Sequence, residues 1–406
     1  MLFTRRSFNF SSLTALGLSL SGLMGCGKPK RKDAFRVALL SPRTGMDSQV
    51  GQACERGGRV AELLLKDAFP FLEIVYTDTE SNVDIGRSKA EMLISEGTHI
   101  LVGAHNSGVT ATIAQVCEQR KVPLLINISA AKRITEQGYR YVFRNFPTTD
   151  VLAVNGLKLM NDLFQLKDTP PKTAALLYIN DTYGQSMCEA ISYHLPRLDL
   201  PCRLVEAVSY DPRTQDLSSE IAKIKASKAE LLVPITRLND AIQMIREIIK
   251  QRYNPMGIIS PGSPGMYEKQ FFSILGAHSE YCITNTCWHN PHSLLTQKAL
   301  VLFEKLYPKE QFDLNVAFTI EAILIAADAH QRSQSFTGPA LGQALRETNI
   351  KERIVFGGPI AFDQKGQALN IESVALQNRN GSPQIILPEK LQQIVPIFPF
   401  PAWQAS

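Results

Sequence analysis

The chain has 406 residues, of which 44% are hydrophobic and 20% charged, and its formal net charge is +5. This balance is typical of an ordinary globular protein and excludes a disordered or fibrous chain. The length allows two or three compact units. Arg5 and Arg6 contribute two of the net charges, and no basic stripe is interleaved with aromatic residues. The sequence therefore gives no basis for a nucleic-acid partner.

The first 26 residues indicate export. Arg5 and Arg6 precede an apolar run over residues 8–24, which is shorter than a membrane span and is broken by several serines. The run ends in small residues directly before Cys26. This segment resembles a twin-arginine export signal joined to a bacterial lipoprotein cleavage box, which implies cleavage before Cys26 and lipid attachment to its thiol.

On this interpretation residues 1–25 are a signal peptide and residues 26–34 are a lipidated, basic tether. Acyl chains together with basic residues supply the two signals that stable membrane anchoring needs. The protein is then held in the periplasm or at the outer face of the cell membrane. An ordinary Sec signal with a chance cysteine is the alternative. The six remaining cysteines permit disulfides, but six cysteines allow fifteen pairings and the sequence does not choose among them.

From residue 35 the chain alternates short apolar runs with segments of helical spacing. Near-continuous apolar strands between amphipathic helices are typical of a parallel sheet that is covered on both faces. The first series predicts strands at 35–40, 72–78, 99–103 and 122–127, and helices at 52–67, 83–96 and 110–119.

The same rhythm restarts after FRNFP (143–147). It predicts strands at 173–180, 202–210, 230–236 and 256–262, and helices at 185–194, 217–226 and 240–251. Two α/β series of similar size predict an α/β fold of two doubly wound, Rossmann-like lobes.

Residues 281–406 do not form a third series. They predict a strand at 281–288, helices at 296–306, 316–331 and 339–347, and short strands at 373–377 and 383–388. The helix at 316–331 is apolar on almost every side, so it needs an existing core to enter. We therefore expect this part to return to the first lobe and to finish on the second. Lobe 1 then comprises 35–147 and 283–356, and lobe 2 comprises 148–282 and 357–406.

Five stretches, taken in chain order, carry a family resemblance: FRVALLSPRTGMDSQVGQACERGGRVA, HILVGAHNSGVT, VPLLINISAAKRITEQGYRYVFR, INDTYGQ and GGPIAFDQKGQ. Together they resemble the type I periplasmic binding proteins, in particular the Leu/Ile/Val-binding branch. The resemblance implies two lobes joined by a three-segment hinge that close over a small solute. It also implies delivery of that solute to the permease subunits of an ABC transporter, with no cofactor and no catalysis.

Residues 100–116, ILVGAHNSGVTATIAQV, contain the pattern G-x-x-x-x-G-V-T. The lysine of a phosphate-binding loop is missing, so the nucleotide interpretation lacks its cation. A helix start after a buried strand still suits a small anion such as a carboxylate. The resemblance makes Ser107 the ligand-binding serine and places Ser129, Ala130 and Ala131 against the ligand. Tyr183 of the second lobe would cover it.

Each of these side chains has a purely structural alternative. Ser107 is also a good helix cap, Ser129 suits loop hydrogen bonding, and Tyr183 suits packing on the lobe surface. Thr236 and Arg237 occupy the position of a further tyrosine of the family and complete the predicted ligand-binding set. Arg43 and Arg237 suit a second anionic group or simply solvent.

Two departures from the family pattern concern the ligand. No acid lies near residues 260–263, where the family has the carboxylate that pairs with a ligand ammonium, and Val50 stands where an aromatic is expected. Burying an unpaired ammonium costs several kcal/mol, which argues against the same recognition of aliphatic amino acids. Asp181 is the candidate for the missing negative charge.

The stretch HSEYCITNTCWHNPH contains three histidines and two cysteines, but their spacing fits no standard zinc pattern, so we predict a hinge strand and no metal site. We find no G-x-S-x-G, no H-E-x-x-H and no recognisable Cys–His pair, so no catalytic residue is predicted. The leading hypothesis is a solute-binding lipoprotein of an ABC transporter for a small carboxylate. The alternative is an envelope lipoprotein that uses the same fold to sense a signal or regulate a partner protein.

Overall fold

Two sheets organise residues 34–401, the part of the chain that this computed structural model describes. The first sheet contains β1 (Phe35–Ser41), β2 (Leu72–Asp78), β3 (Ile100–Gly103), β4 (Leu124–Ile126) and β5 (Val142–Arg144). The second contains β6 (Thr173–Ile179), β7 (Arg203–Tyr210), β8 (Leu231–Ile235), β9 (Gly257–Ser260), β10 (Ile283–Thr286), β11 (Val374–Arg379) and β12 (Ser382–Leu387).

Strand order in both sheets is that of doubly wound folds. The first sheet runs β2-β1-β3-β4-β5 and is parallel throughout. The second runs β12-β11-β10-β9-β8-β6-β7, in which β11 and β12 are antiparallel additions to a parallel sheet. The inner strands of both sheets are almost continuously buried, as sheets covered on both faces require, whereas β2 and β7 at the sheet edges are only partly buried. The predicted α/β fold with two doubly wound lobes is confirmed.

Helices cover both sheets. They are α1 (Ser48–Leu65), α2 (Val83–Ser95), α3 (Ser107–Arg120), α4 (Thr149–Lys167), α5 (Thr182–His194), α6 (Ser218–Ala226), α7 (Leu238–Lys250), α8 (Lys269–Leu275), α9 (Leu294–Leu306), α10 (Leu314–Ser333) and α11 (Gly338–Arg346). Helices α9 and α10 pack against α1, so the late helices cover the first sheet. Helix α10 is buried on nearly every side, as its apolar sequence predicts.

Several elements differ from the sequence expectation. Helix α1 begins at Ser48 and α3 at Ser107, each about one turn earlier than predicted. Gly51 permits the early start of α1, because a Cβ atom there would lie 2.0 Å from the carbonyl oxygen of Pro42. Strand β5 and helices α4 and α8 carry no sequence prediction, although the apolar residues of α4 do have helical spacing.

The lobe boundaries also differ from the predicted positions. Strand β10 pairs in parallel with β9 and antiparallel with β11, so the chain leaves the second sheet only after Thr286, not at residue 283. Gln367, assigned by sequence to the second lobe, forms a bridge with Arg144 of β5. An apolar strand pattern does not identify which of two sheets the strand joins, and these boundaries depend on that choice.

The predicted signal peptide and Cys26 lie outside the described residues. Between residues 34 and 401 no helix is long and apolar enough to cross a membrane. The six cysteines of this part, Cys54, Cys117, Cys188, Cys202, Cys282 and Cys287, are all free thiols. Within the same part, no group of histidine, cysteine and acidic side chains is arranged to hold a metal ion.

A buried ion pair joins α10 to the segment that follows α11. Arg353 Nη2 lies 2.6 Å from Glu321 Oε1, and both side chains are at most 4% exposed. Glu321 Oε2 also accepts the backbone N–H groups of Ile354 and Val355. Because all of these groups are removed from water, the loss of one partner leaves the others uncompensated.

We expect Glu321→Ala to lower the free energy of unfolding by about 3–5 kcal/mol, since it leaves the Arg353 guanidinium buried and unpaired. Glu91→Ala is the control, because Glu91 forms an exposed pair with Arg87 at 3.2 Å. That change should cost at most about 0.5 kcal/mol. Urea unfolding followed by circular dichroism measures both, and equal losses would contradict the assignment.

Candidate functional site

The loop after β3 brings Ser107 to the cleft between the lobes. Asn106 is the N-cap of α3, and its Oδ1 accepts the N–H groups of Gly108 at 2.9 Å and Val109 at 3.3 Å. The alternative role of Ser107 as the helix cap is therefore taken by Asn106. Two N–H groups of the first turn are also occupied, so the helix start offers fewer free donors than the sequence suggests.

Three of the predicted ligand-binding residues meet at the Ser107 hydroxyl. Ser107 Oγ accepts the hydroxyl of Ser129 at 2.9 Å and the N–H of Ala131 at 3.4 Å. A hydroxyl oxygen that accepts two hydrogen bonds retains its own proton for donation. The loops after β3 and β4 are thus joined, as expected at the carboxyl ends of neighbouring parallel strands.

Arg144, at the end of β5, stabilises the loop after β4 by hydrogen bonds. Its Nη1 donates to the carbonyl oxygens of Ser129 at 3.2 Å and Ala131 at 3.1 Å, and its Nη2 donates to Thr135 Oγ1 at 2.8 Å. The guanidinium is completely buried, and burial lowers its pKa to about 9. Three hydrogen bonds from Arg144 therefore stabilise the loop that carries Ser129 and Ala130.

A small cavity separates these residues from the second lobe. Its volume of about 40 Å³ corresponds to roughly three water molecules. Tyr183 lies across it and donates its hydroxyl to the carbonyl of Gly262 at 3.0 Å. The lining residues from both lobes are His105, Ser107, Ile128, Ala130, Phe146, Tyr183, Arg237, Gly262, Pro264, Tyr267, Leu314 and Asn315.

Arg237 connects the two lobes. Its Nη2 lies 2.5 Å from Asp181 Oδ2 in the second lobe, and its Nε lies 3.3 Å from Asp47 Oδ1 in the loop after β1. Despite burial, the two carboxylates raise the pKa of Arg237. His105 Nε2 lies 3.7 Å from the same Asp47 oxygen, and burial lowers the pKa of His105. Arg237 is therefore a paired residue of the lobe interface, not a solvated one.

The other predicted residues lie outside the cavity wall. Thr236 is completely buried, and its N–H donates to Ser263 Oγ at 2.6 Å, so it supports the loop behind Pro264. Arg43 pairs with Glu55 at 2.8 Å on the surface. Val50 lines an open groove of about 710 Å³ that leads to the cleft, and Arg237 and His105 stand between this groove and the inner cavity.

Residues that the sequence did not single out complete the lobe interface. Glu268 of the second lobe faces Gln49 and the N-cap Asp313 of α10 in the first. Burial, together with the carboxylates of Asp313 and Asp47, raises the pKa of Glu268 to about 8. Burial also raises the pKa of Asp313. Asp47 lies in the segment after β1 and Glu268 in the segment after β9. A place after a predicted strand is the one sequence signal that could have identified these two residues as part of the lobe interface.

Glu268→Gln should make the protein relatively more stable at high pH. Glu268 stays protonated in the folded chain up to about pH 8, whereas in the unfolded chain it ionises near its ordinary value of 4.5. The stabilisation that Glu268 contributes is therefore complete below about pH 4.5 and is lost as the pH rises to 8. The free energy of unfolding falls by on the order of a few kcal/mol over this range.

Urea midpoints of the parent chain and the variant at pH 5 and pH 9 measure this effect. The midpoint of the variant relative to that of the parent should be higher at pH 9 than at pH 5. Glu352→Gln, at an exposed position, is the control and should show no such gain. A parallel pH dependence of the parent and the Glu268 variant would contradict the buried neutral carboxyl.

Comparison with known proteins gives matches along most of the chain. The family model described as periplasmic binding protein matches residues 34–380. A protein named Leu/Ile/Val-binding protein homolog 7, from Brucella abortus, is 23% identical over 393 residues, covering 92% of this chain and 96% of that protein. The chain is thus similar in sequence over nearly the whole length of that relative.

Solved structures share the fold. The branched-chain amino acid transporter substrate binding protein LivJ from Streptococcus pneumoniae, in complex with isoleucine, aligns with a TM-score of 0.75 at 16% identity, covering 88% of this chain and 100% of that one. A solute binding protein of an ABC transporter from R. palustris, in complex with benzoate, aligns with a TM-score of 0.74 at 15% identity, covering 89% and 99%.

Proposed function

The chain belongs to the periplasmic binding protein family, and we propose that it is an extracytoplasmic solute-binding protein of an ABC-type transporter. It binds a small carboxylate-bearing ligand, an amino acid or a related compound, in the cleft between the lobes. The observation that carries this proposal is that Ser129 and Ala131 both donate to the hydroxyl of Ser107, which lines a cavity that Tyr183 and Arg237 close from the other lobe. Similar proteins with bound isoleucine and with bound benzoate support a carboxylate.

In this proposal the Ser107 hydroxyl donates to a carboxylate oxygen, next to Ala130 in the cavity wall. Ser129 and Ala131 orient Ser107 from behind, and Tyr183 covers the ligand. The cavity has room for roughly three water molecules, so a ligand of amino-acid size requires the lobes to move apart. Since Arg237 bridges the lobes, that motion involves its pair with Asp47.

Ser107→Ala should weaken carboxylate binding by about tenfold to a hundredfold, because a hydrogen bond to a charged group contributes about 1.5–3 kcal/mol. Binding to the native state alone stabilises it by about 2.7 kcal/mol at a hundredfold excess over Kd. A thermal-shift screen with amino acids, short peptides, aromatic acids and polyols therefore identifies the ligand, and calorimetry then compares the variant.

Ser88→Ala is the matched control, because Ser88 is exposed on α2 and bonds only to its own helix. It should bind as the parent chain does. If no compound raises the midpoint, or if Ser107→Ala binds as well as the parent, the proposed site is wrong. Mass spectrometry of small molecules that remain bound after gentle purification gives an independent test.

We also propose that the protein is lipid-anchored through Cys26. In cells that export it, Cys26→Ala should move the protein from the membrane fraction to the soluble fraction, because the acyl chains are lost and the basic tether alone does not anchor stably. Cys54→Ala, which changes a buried thiol within the fold, is the control and should stay with the membrane. A Cys26 variant that still sediments with membranes would contradict the anchor.

The second candidate function is a lipoprotein that uses the fold to sense a signal or regulate a partner. The small inner cavity and the paired Arg237 favour it, because the lobes are already joined by protein groups. Recovery of an envelope enzyme or kinase in a pull-down, with neither a permease nor a small ligand, would support this function over transport.

A further inference from the structure

Arg144 is a buried cation without an acidic partner. Its three hydrogen bonds go to two carbonyl oxygens and a hydroxyl, all of them neutral groups. The ion pairs found between residues 34 and 401 do not include it. Arg353, which is also buried, pairs with Glu321. Burial of a charge without a counter-ion is costly, so the position of Arg144 requires an explanation.

The acid that acts on Arg144, Glu136, does not neutralise it. Glu136 attracts the guanidinium only over a distance, and its carboxylate is paired with Lys365 on the surface. Burial has the largest effect on the pKa of Arg144 and lowers it. The positive charge therefore remains uncompensated within the first lobe.

The guanidinium lies directly behind the wall of the inner cavity. The carbonyl of Ser129, which accepts from Arg144, belongs to the same peptide group as the N–H of Ala130, and Ala130 lines the cavity. The second bonded carbonyl, that of Ala131, belongs to the next peptide group along the chain and not to the one whose N–H donates to Ser107. Hydrogen bonds in series polarise one another, so a cation bonded to the Ser129 carbonyl makes the Ala130 N–H a stronger donor.

We propose that Arg144 is a positioning residue that makes the cleft selective for anions, with the bound carboxylate acting as the counter-charge that the guanidinium lacks. This inference rests on the proposed function, since it assumes a ligand at Ser107. It assigns the preference for anions to a residue that the ligand does not touch. The Ser107 hydroxyl donates to neutral and charged oxygens alike, and the Arg144 charge distinguishes between them.

A purely structural role for Arg144 makes a different prediction. If Arg144 only stabilises the loop at Ser129, the affinity for a carboxylate depends on its hydrogen bonds and not on its charge. Arg144→Gln keeps an N–H donor near the two carbonyls but removes the charge. Arg144→Lys keeps the charge but loses the planar set of donors that reaches three oxygens at once. The two variants therefore distinguish the effect of the charge from the effect of the hydrogen bonds to the loop.

Calorimetric titration with benzoate, L-leucine and L-isoleucine, at fixed ionic strength, tests the inference. For each carboxylate that the parent chain binds, Arg144→Gln should lower the affinity by about tenfold or more, as expected for an opposite charge in low-dielectric surroundings. Arg144→Lys should retain the affinity within about threefold, because the same attraction remains. Arg87→Gln, an exposed change on α2, is the control and should have no effect.

Circular dichroism and urea unfolding of each variant establish that it is folded before its affinity is compared. Equal losses of affinity in the Lys and Gln variants would assign Arg144 to loop fastening alone and overturn the inference, as would full affinity in the Gln variant. A parent chain that binds neither these three carboxylates nor any carboxylate of the thermal-shift screen would contradict the proposed function and this inference together. Binding by the parent chain with no dependence on charge at residue 144 would contradict the inference only.

Discussion

The Arg237 guanidinium lies between the carboxylates of Asp47 and Asp181, and the closed arrangement of the lobes depends on this chain of charges. Asp47 belongs to the loop after β1, whereas Arg237 and Asp181 follow β8 and β6 of the other lobe. The three groups are largely removed from solvent, so their attraction is screened much less than that of a surface pair. Any movement that opens the cleft separates Asp47 from Arg237 and exposes both to water. The free energy of opening therefore includes the difference between their mutual attraction and their hydration.

The fold was accessible from the sequence because its signal is local. Apolar strands and amphipathic helices recur in the chain, and nearly every predicted element is present within a few residues of its predicted position. Helix α4 was not predicted, although the sequence contains its signal: Leu152, Leu159 and Leu163 have helical spacing and are buried. The membership of β10 in the second sheet was not accessible, because its partners β9 and β11 are set by tertiary packing.

The site divides in the same way. Ser107, Ala130 and Tyr183 follow predicted strands, and the structure places all three at one cavity. The capping of α3 by Asn106 was ambiguous, because Asn106 and Ser107 are adjacent and both suit an N-cap. The pairing of Arg237 with Asp47 and the raised pKa of Glu268 both arise between segments far apart in the chain. Spacing along the sequence contains no information on such contacts.

The charged residues around the inner cavity are distributed unevenly between its two ends. Behind the Ser129 loop lies the Arg144 guanidinium with no acid to balance it. Around Arg237, two carboxylates face one guanidinium, which leaves an excess of negative charge. Under the proposed function, this distribution would favour a ligand carboxylate toward Ser107 and a cationic group of the same ligand at the opposite end. No single acid at residues 260–263 is needed for this polarity, because Asp47 and Asp181 together provide it. Under the proposed function, Asp47 and Asp181, and not an acid at residues 260–263, would therefore meet the ammonium of a zwitterionic ligand.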